Sequence, residues 1–188
     1  MMDKHIWRII HESIGILVVA SVISSLGGIG LETLRAQLAW LIPIVILLPA
    51  LNDMIGDFGA IVASRFTVML YKKEVHEKHF WRDRELHHLF FVIFGIAVLA
   101  AIYVACLSYF LALVRGFPFD LILIGKVLFI SLLSTILLVS ILFFICVLGG
   151  FYVYKHKHDP NNYLIPLATA FADLGSMVLL SILVAWLF

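Results

Sequence analysis

Three aspartates stand in the most apolar parts of this sequence. Asp53 and Asp57 follow a run from Leu38 to Leu51 in which every side chain is apolar, and Asp173 lies within the last apolar run. A charged residue at the centre of a membrane-spanning helix costs about 2.5–3.5 kcal/mol on insertion scales, so such residues normally face a bundle interior or a water-filled path. Without a basic partner in its own helix, a carboxylate in that position needs a proton or a cation.

The spacing of these polar residues predicts two stripes on helical faces. Asp53 and Asp57 are four residues apart and therefore share a face, which Ser64 extends seven residues further on. Thr169 precedes Asp173 by four residues and shares its face in the same way. Carboxylate, hydroxyl and amide oxygens are hard ligands, which suit a hard cation.

Mg²⁺ is one hard cation that suits this ligand set. It requires octahedral oxygen coordination, gives up its water reluctantly and is usually held by one or two carboxylates. We therefore expect Asp173, Asp57 and Asp53 to interact with the metal ion, while Asn52 and Thr169 contact it through water. The sequence has no H-E-x-x-H zinc pattern, no G-x-S-x-G nucleophile and no phosphate-binding loop.

The composition predicts whether the chain is surrounded by water or by lipid. Of the 188 residues, 63% are hydrophobic and 13% are charged, and the mean hydropathy is +1.11. A soluble domain has about 25% charged residues, so the chain is predicted to be an integral membrane protein in contact with lipid. A net charge of +1 argues against a nucleic acid as partner, since phosphate binding needs concentrated basic surface.

Five segments are long and apolar enough to cross a membrane, which takes roughly 20 residues each. They cover about residues 9–29, 38–70, 89–114, 121–154 and 163–188. The predicted fold class is therefore all-α, a polytopic membrane protein with five transmembrane helices. We expect residues 1–188 to form a single domain with no cytoplasmic regulatory domain.

The second segment is too long for one upright helix. Its roughly 33 residues would measure about 50 Å, against a hydrocarbon core of about 30 Å. Because Pro43 and Pro49 lie inside it, we expect a tilted, kinked or extended helix with a break beside the carboxylates. An aspartate at such a break has two interpretations, a cation ligand or the N-cap of a half-helix. For Asp53 both remain open.

The basic residues predict the orientation. With five spans, the N-terminus and the loops at 71–88 and 155–162 share one side, which carries nine Lys and Arg residues against three on the other. The positive-inside rule then places the N-terminus in the cytoplasm and the C-terminus outside the cell. The nine are Lys4, Arg8, Lys72, Lys73, Lys78, Arg82, Arg84, Lys155 and Lys157, and the three are Arg35, Arg115 and Lys126.

Two motifs resemble those of a known family. The stretch PALNDMIGDFGAIVASR, residues 49–65, resembles the first signature of the MgtE-type magnesium channels and the related eukaryotic solute-carrier magnesium transporters. In that signature a proline is followed seven and eight residues later by Gly-Asn, and Ala-Ser-Arg follows in the solute-carrier branch. Pro49, Gly56 and Asp57 hold these positions here, and residues 63–65 read Ala-Ser-Arg.

The second motif is DPNNYLIPLATAFADLG, which is similar to the last-helix signature of the same family. Asp159, Pro160, Pro166, Thr169 and Asp173 occur at the matching spacings. The resemblance covers nearly the whole chain. It implies transport of a divalent cation, chiefly Mg²⁺ and also Mn²⁺ or another divalent ion, by a channel-like or secondary mechanism. It also makes Asp173 the counterpart of the family's pore aspartate, with Gly56 and Ser64 in the pore-lining signature.

The chain departs from the family pattern in ways that carry predictions. Asp57 replaces the usual asparagine, and Asp53 is an additional acid. The eukaryotic relatives hold two such units in one chain, whereas this chain holds one. We therefore expect a parallel two-fold homodimer in the cell membrane, with the pore at the interface between the second and fifth helices of each subunit.

Two other classes of protein compete with this interpretation. The stretch GDFGAIVASR faintly resembles the start of the CDP-alcohol phosphotransferase motif, but the residues that follow, FTVMLYKKEVHEKHF, lack the further aspartates which that Mg²⁺-dependent membrane enzyme needs. A structural membrane subunit would leave Asp173 without a function. The sequence therefore favours a transporter over an enzyme.

Overall fold

The computed structural model describes residues 2–32, 38–75 and 83–188, and these ranges contain five helices and no strand. The helices are α1 (Met2–Glu32), α2 (Ile42–Tyr71), α3 (Arg84–Val114), α4 (Leu121–Lys155) and α5 (Pro160–Leu187). Each has a segment long and apolar enough to span a membrane, which confirms the prediction of five spanning helices. Arg35, Lys78 and Arg82, used above to predict the orientation, lie outside the described residues.

Helix α2 is continuous through Pro49, so the expected break beside the carboxylates is wrong. Pro43 lies in the first turn, where a missing N–H costs nothing. Pro49 removes one donor from the helix, but Leu47 and Leu51 on either side are fully buried, and this packing holds the helix together. Because no helix begins near Asp53, the N-cap interpretation of that residue is also wrong.

Helix α5 begins within the second motif, at Pro160, three residues before the start of the predicted segment 163–188. The Asp159 carboxylate accepts a hydrogen bond from the Asn161 N–H (3.0 Å), and Pro160 is the first helical residue. Aspartate at the N-cap followed by proline at the first position is a favourable start for a helix. The helix continues through Pro166 to Leu187, so Asp173 lies well inside a spanning helix and caps nothing.

The four helices α2 to α5 pack around a common apolar core, and α1 lies at the edge of the bundle, packed mainly against α5. Helix α2 contacts α3, α4 and α5, and α4 also contacts α3 and α5. The largest core side chains are fully buried, among them Ile44, Leu51, Phe66, Ile130 and Leu180. The bundle therefore holds α2 and α5 side by side.

A glycine sets the distance between α2 and α5. A Cβ placed on Gly59 would lie 3.0 Å from the Ala168 Cβ, so a larger residue there would require the two helices to shift by a few tenths of an ångström. One turn earlier, a Cβ on Gly56 would meet the Thr169 Cγ2 at 3.6 Å. This close approach brings the acidic face of α2 beside the Thr169–Asp173 face of α5.

Candidate cation site

Asp173 is held by two hydrogen bonds from two other helices. The Ser24 hydroxyl of α1 donates to Oδ2 (2.5 Å), and the Asn52 amide of α2 donates to Oδ1 (2.6 Å). Asp173 therefore has two hydrogen-bond partners, and both are neutral, in agreement with the absence of a basic partner in its own helix. Since neither partner carries a charge, Asp173 keeps its attraction for a cation.

Asn52 ties α2 to α5 through both ends of its amide. Its nitrogen donates to Asp173, and its oxygen accepts a hydrogen bond from the Ser176 hydroxyl. The Ser176 hydroxyl also lies 3.1 Å from the Asp173 backbone carbonyl. These bonds fix which way the amide points. Asn52 was expected to contact a cation through water, whereas in the structure its amide nitrogen orients the carboxylate of Asp173.

An open cavity of about 530 Å³ lies between α2 and α5, and most of the predicted site residues line it. Its lining includes Asn52, Asp53, Gly56, Asp57, Thr169 and Asp173. Ser64 lines a neighbouring cavity of about 620 Å³ together with Arg65, and Asp57 borders both cavities. The structure thus brings together six of the seven residues that the sequence indicated, and it places Ser64 one cavity further along α2.

A third cavity, also about 530 Å³, lies between α1 and α5. Thr169 and Asp173 line it together with three serines of α1, namely Ser21, Ser24 and Ser25. Sequence reasoning missed the contribution of Ser24, and it also missed Ser176. Helix α1 has several serines within its apolar segment, and a serine in such a segment is only weak evidence of function. The sequence alone therefore does not single out Ser24.

The electrostatic character of the site is acidic. The side chains of Asp53 and Asp57 are exposed, and Asp173 is half-buried. Among the described residues, Arg65 forms no ion pair with Asp57, although both border the same cavity. Within the same residues, no three His, Cys, Asp or Glu side chains converge to hold a metal ion. The described part of the chain therefore offers a wide, acceptor-lined cavity suited to a cation that keeps water, and no closed metal cage.

Five helices long and apolar enough to span a membrane, with an open, acidic groove between α2 and α5, indicate a polytopic membrane protein of the ion-transporting class. The family model of MgtE, described as a divalent cation transporter, matches residues 48–183. The chain therefore belongs to the MgtE family of divalent cation transporters, which is a family of transporters and not of enzymes. No curated protein and no solved structure matches the chain. The match includes α3 and α4 and nearly all of the site, but it leaves out α1.

Proposed function

We propose that this protein carries divalent cations, Mg²⁺ foremost, across the membrane along the groove that Asp57, Asp53 and Asp173 line. The path lies on the two-fold axis of a parallel homodimer, between α2 and α5 of each subunit. Mn²⁺ and other divalent ions of similar size are further substrates. Membership of the family supports a divalent cation as the substrate. The arrangement of the three carboxylates supports the groove between α2 and α5 as the path.

The observation that carries the proposal is the exposure of Asp53 and Asp57 on a helix that spans the membrane. Both lie within the 30-residue helix α2, away from its ends. A carboxylate facing hydrocarbon at that depth is costly, so the groove is expected to face water or a second polar surface. A water-filled path for a cation satisfies both carboxylates, whereas lipid satisfies neither.

A second copy of the chain closes the groove. Closed two-fold symmetry is the most common arrangement of homo-oligomers. Two facing copies of Asp173 would provide two carboxylates, which matches the one or two that Mg²⁺ usually uses while it keeps several waters. Asp57, Asp53 and Thr169 of each copy would then contact the ion through those waters. The apolar outer surface of the bundle faces lipid.

The membrane potential is sufficient to drive this transport. One charge gains about 2.3 kcal/mol per 100 mV, so a divalent cation gains about 4.6 kcal/mol on entering a cell at that potential. With the N-terminus in the cytoplasm, α2 runs inward from Ile42 to Tyr71, and the cavity beside Ser64 opens toward the cytoplasm. A cation moving inward then passes Asp173 and Asp53 before it reaches Asp57.

Replacement of Asp173 by asparagine tests the proposal. The Asp173→Asn side chain has the same shape, can accept from Asn52 and can donate to the Ser24 oxygen, so the fold is retained and only the charge is lost. Mg²⁺ uptake into proteoliposomes should fall by about tenfold or more, which corresponds to about 1.4 kcal/mol. Uptake equal to wild type would overturn the assignment.

Asp120→Asn is the matched control. Asp120 lies outside the groove and caps α4, where its carboxylate accepts from the Ile122 N–H (2.9 Å). Asparagine caps a helix as well as aspartate does, so Mg²⁺ uptake should not change. The dimer is tested separately by mass measurement in detergent, where the protein part should weigh twice the 21.2 kDa of one chain. A strict monomer would contradict the interfacial path.

A further inference from the structure

Helix α1 lies outside the matched residues 48–183, and yet it contributes a hydrogen bond to Asp173. The Ser24 hydroxyl donates to Oδ2 while Asn52 occupies Oδ1, so both oxygens of the carboxylate are engaged. Asn52 belongs to the matched region, whereas Ser24 does not. The site that the family model covers is therefore incomplete in this protein without α1.

The hydrogen bond of Ser24 differs from those of its neighbours. The hydroxyls of Ser21 and Ser25 donate to carbonyls four residues earlier in the same helix, Leu17 (2.8 Å) and Ser21 (2.7 Å). That is the usual local bond of a serine inside a helix. Ser24 lies between them and instead crosses to α5. Its bond is therefore set by the contact between the two helices and not by the local geometry of α1.

Gly27, one turn after Ser24, allows α1 to approach α5 closely enough for that bond. A Cβ on Gly27 would lie 3.1 Å from the Leu174 Cα and 3.3 Å from the Asp173 carbonyl oxygen. These are backbone atoms, which cannot move aside as a flexible side chain can. A Cβ at position 27 would also meet the flexible Met177 side chain at 2.9 Å, and the two backbone contacts would require α1 and α5 to move apart by a few tenths of an ångström, which lengthens the hydrogen bond that Ser24 donates.

We infer that α1 completes the cation site and that Ser24 is a positioning residue which makes Asp173 discriminate between hydrated Mg²⁺ and Ca²⁺. This rests on the proposed function. Ca²⁺ binds carboxylates directly, often through both oxygens, whereas Mg²⁺ keeps several of its waters. The Ser24 and Asn52 hydrogen bonds take one lone pair on each oxygen and fix the direction in which the carboxylate points, so Ca²⁺ that binds through both oxygens has to turn the carboxylate against these two bonds. The remaining lone pairs accept hydrogen bonds from the water around Mg²⁺ without that change.

The test compares Mg²⁺ and Ca²⁺ uptake by the full chain in proteoliposomes. Ser24→Ala frees Oδ2, so the ratio of Mg²⁺ to Ca²⁺ uptake should fall by about fivefold or more, because hydrogen bonds to charged groups are among the stronger ones. Ser24→Thr keeps the hydroxyl and should keep the ratio within about twofold of wild type. The control is Ser140→Ala in α4, whose hydroxyl donates to the Ile136 carbonyl of its own helix (2.7 Å).

A second pair of variants tests the same inference with the hydroxyl still present. Gly27→Ala should lower the Mg²⁺ to Ca²⁺ ratio as Ser24→Ala does, because it separates α1 from α5. Gly28→Ala is the control, since a Cβ there meets nothing within 4 Å. Both substitutions replace a helical glycine with alanine, so a difference between them reports the contact with α5 and not helix propensity.

The outcomes separate this inference from the function on which it rests. If wild type transports Mg²⁺ and Asp173→Asn does not, but Ser24→Ala has the wild-type ratio, the role of Ser24 is overturned and the proposed function stands. An equal loss in Ser24→Ala and Ser24→Thr, or in Gly27→Ala and Gly28→Ala, would also overturn it. No Mg²⁺ uptake by folded wild-type protein would overturn both.

Discussion

Replacing Asn52 with alanine removes the side chain that links α2 to α5 at the level of Asp173. Two hydrogen bonds are lost, one donated to the Asp173 carboxylate (2.6 Å) and one accepted from Ser176. The remaining helix contacts, including the close approach at Gly59, are unchanged. The free energy of unfolding of Asn52→Ala therefore reports what this link contributes.

The loss of stability in Asn52→Ala depends on whether Asp173 and Ser176 find other hydrogen-bond partners. Asp173 borders open cavities, so water can replace the amide donor. Ser176 is 4% exposed, but its hydroxyl lies 3.1 Å from the Asp173 backbone carbonyl and can bond there instead. Hydrogen bonds between helices in membranes average about 0.6 kcal/mol, with a maximum of about 1.7. We expect Asn52→Ala to lower the free energy of unfolding by about 1–2 kcal/mol.

Unfolding in mixed micelles of a mild and a denaturing detergent, followed by circular dichroism, measures this quantity. Ser140→Ala provides the baseline because it removes a hydroxyl whose bond lies within one helix. It should change the free energy of unfolding by less than about 0.5 kcal/mol. An Asn52→Ala loss no larger than this baseline would refute the reasoning. It would mean that the link does not hold α2 against α5.

Two further predictions concern the groove between α2 and α5. Gly59→Ala should lower the free energy of unfolding by about 1–3 kcal/mol, because its Cβ would be 3.0 Å from the Ala168 Cβ. Gly56→Ala should not lower it, since the nearest atom is at 3.6 Å. Equal thermal stability of the two variants would contradict the packing. Asp57→Asn, which supplies the residue that the family signature carries, should retain Mg²⁺ transport but raise the half-saturating concentration. A divalent ion about 6 Å from the lost charge in water loses about 1.4 kcal/mol, or about tenfold in affinity. Abolished transport, or an unchanged half-saturating concentration, would contradict the proposed role of Asp57.

The spanning helices could be predicted from the sequence because each one is a long apolar run bounded by polar residues. The pairing of α2 with α5 followed from the two motifs, and the cavity between the helices confirms that Asp53, Asp57, Thr169 and Asp173 lie together. Periodicity alone places residues on a face of one helix. It does not say which other helix that face will meet.

Two features of the site could not be predicted, for physical reasons. The break expected at Pro49 does not occur, because burial of Leu47 and Leu51 outweighs the missing hydrogen bond, and burial is a tertiary property. The bond from Ser24 to Asp173 joins residues 149 positions apart. It depends on how α1 is rotated against α5, and several serines of α1 are equivalent by sequence.

The reversal potential of the current that the purified protein carries across a lipid bilayer tests the central claim most directly. A passive path for a divalent cation predicts that the current reverses at about 30 mV under a tenfold Mg²⁺ gradient. This is about the equilibrium potential of an ion with two charges at that gradient. Asp173→Asn should lower that current by about tenfold or more, and Asp120→Asn should retain it. A reversal potential that does not follow the Mg²⁺ gradient would contradict the account, as would an Asp173→Asn current equal to that of wild type.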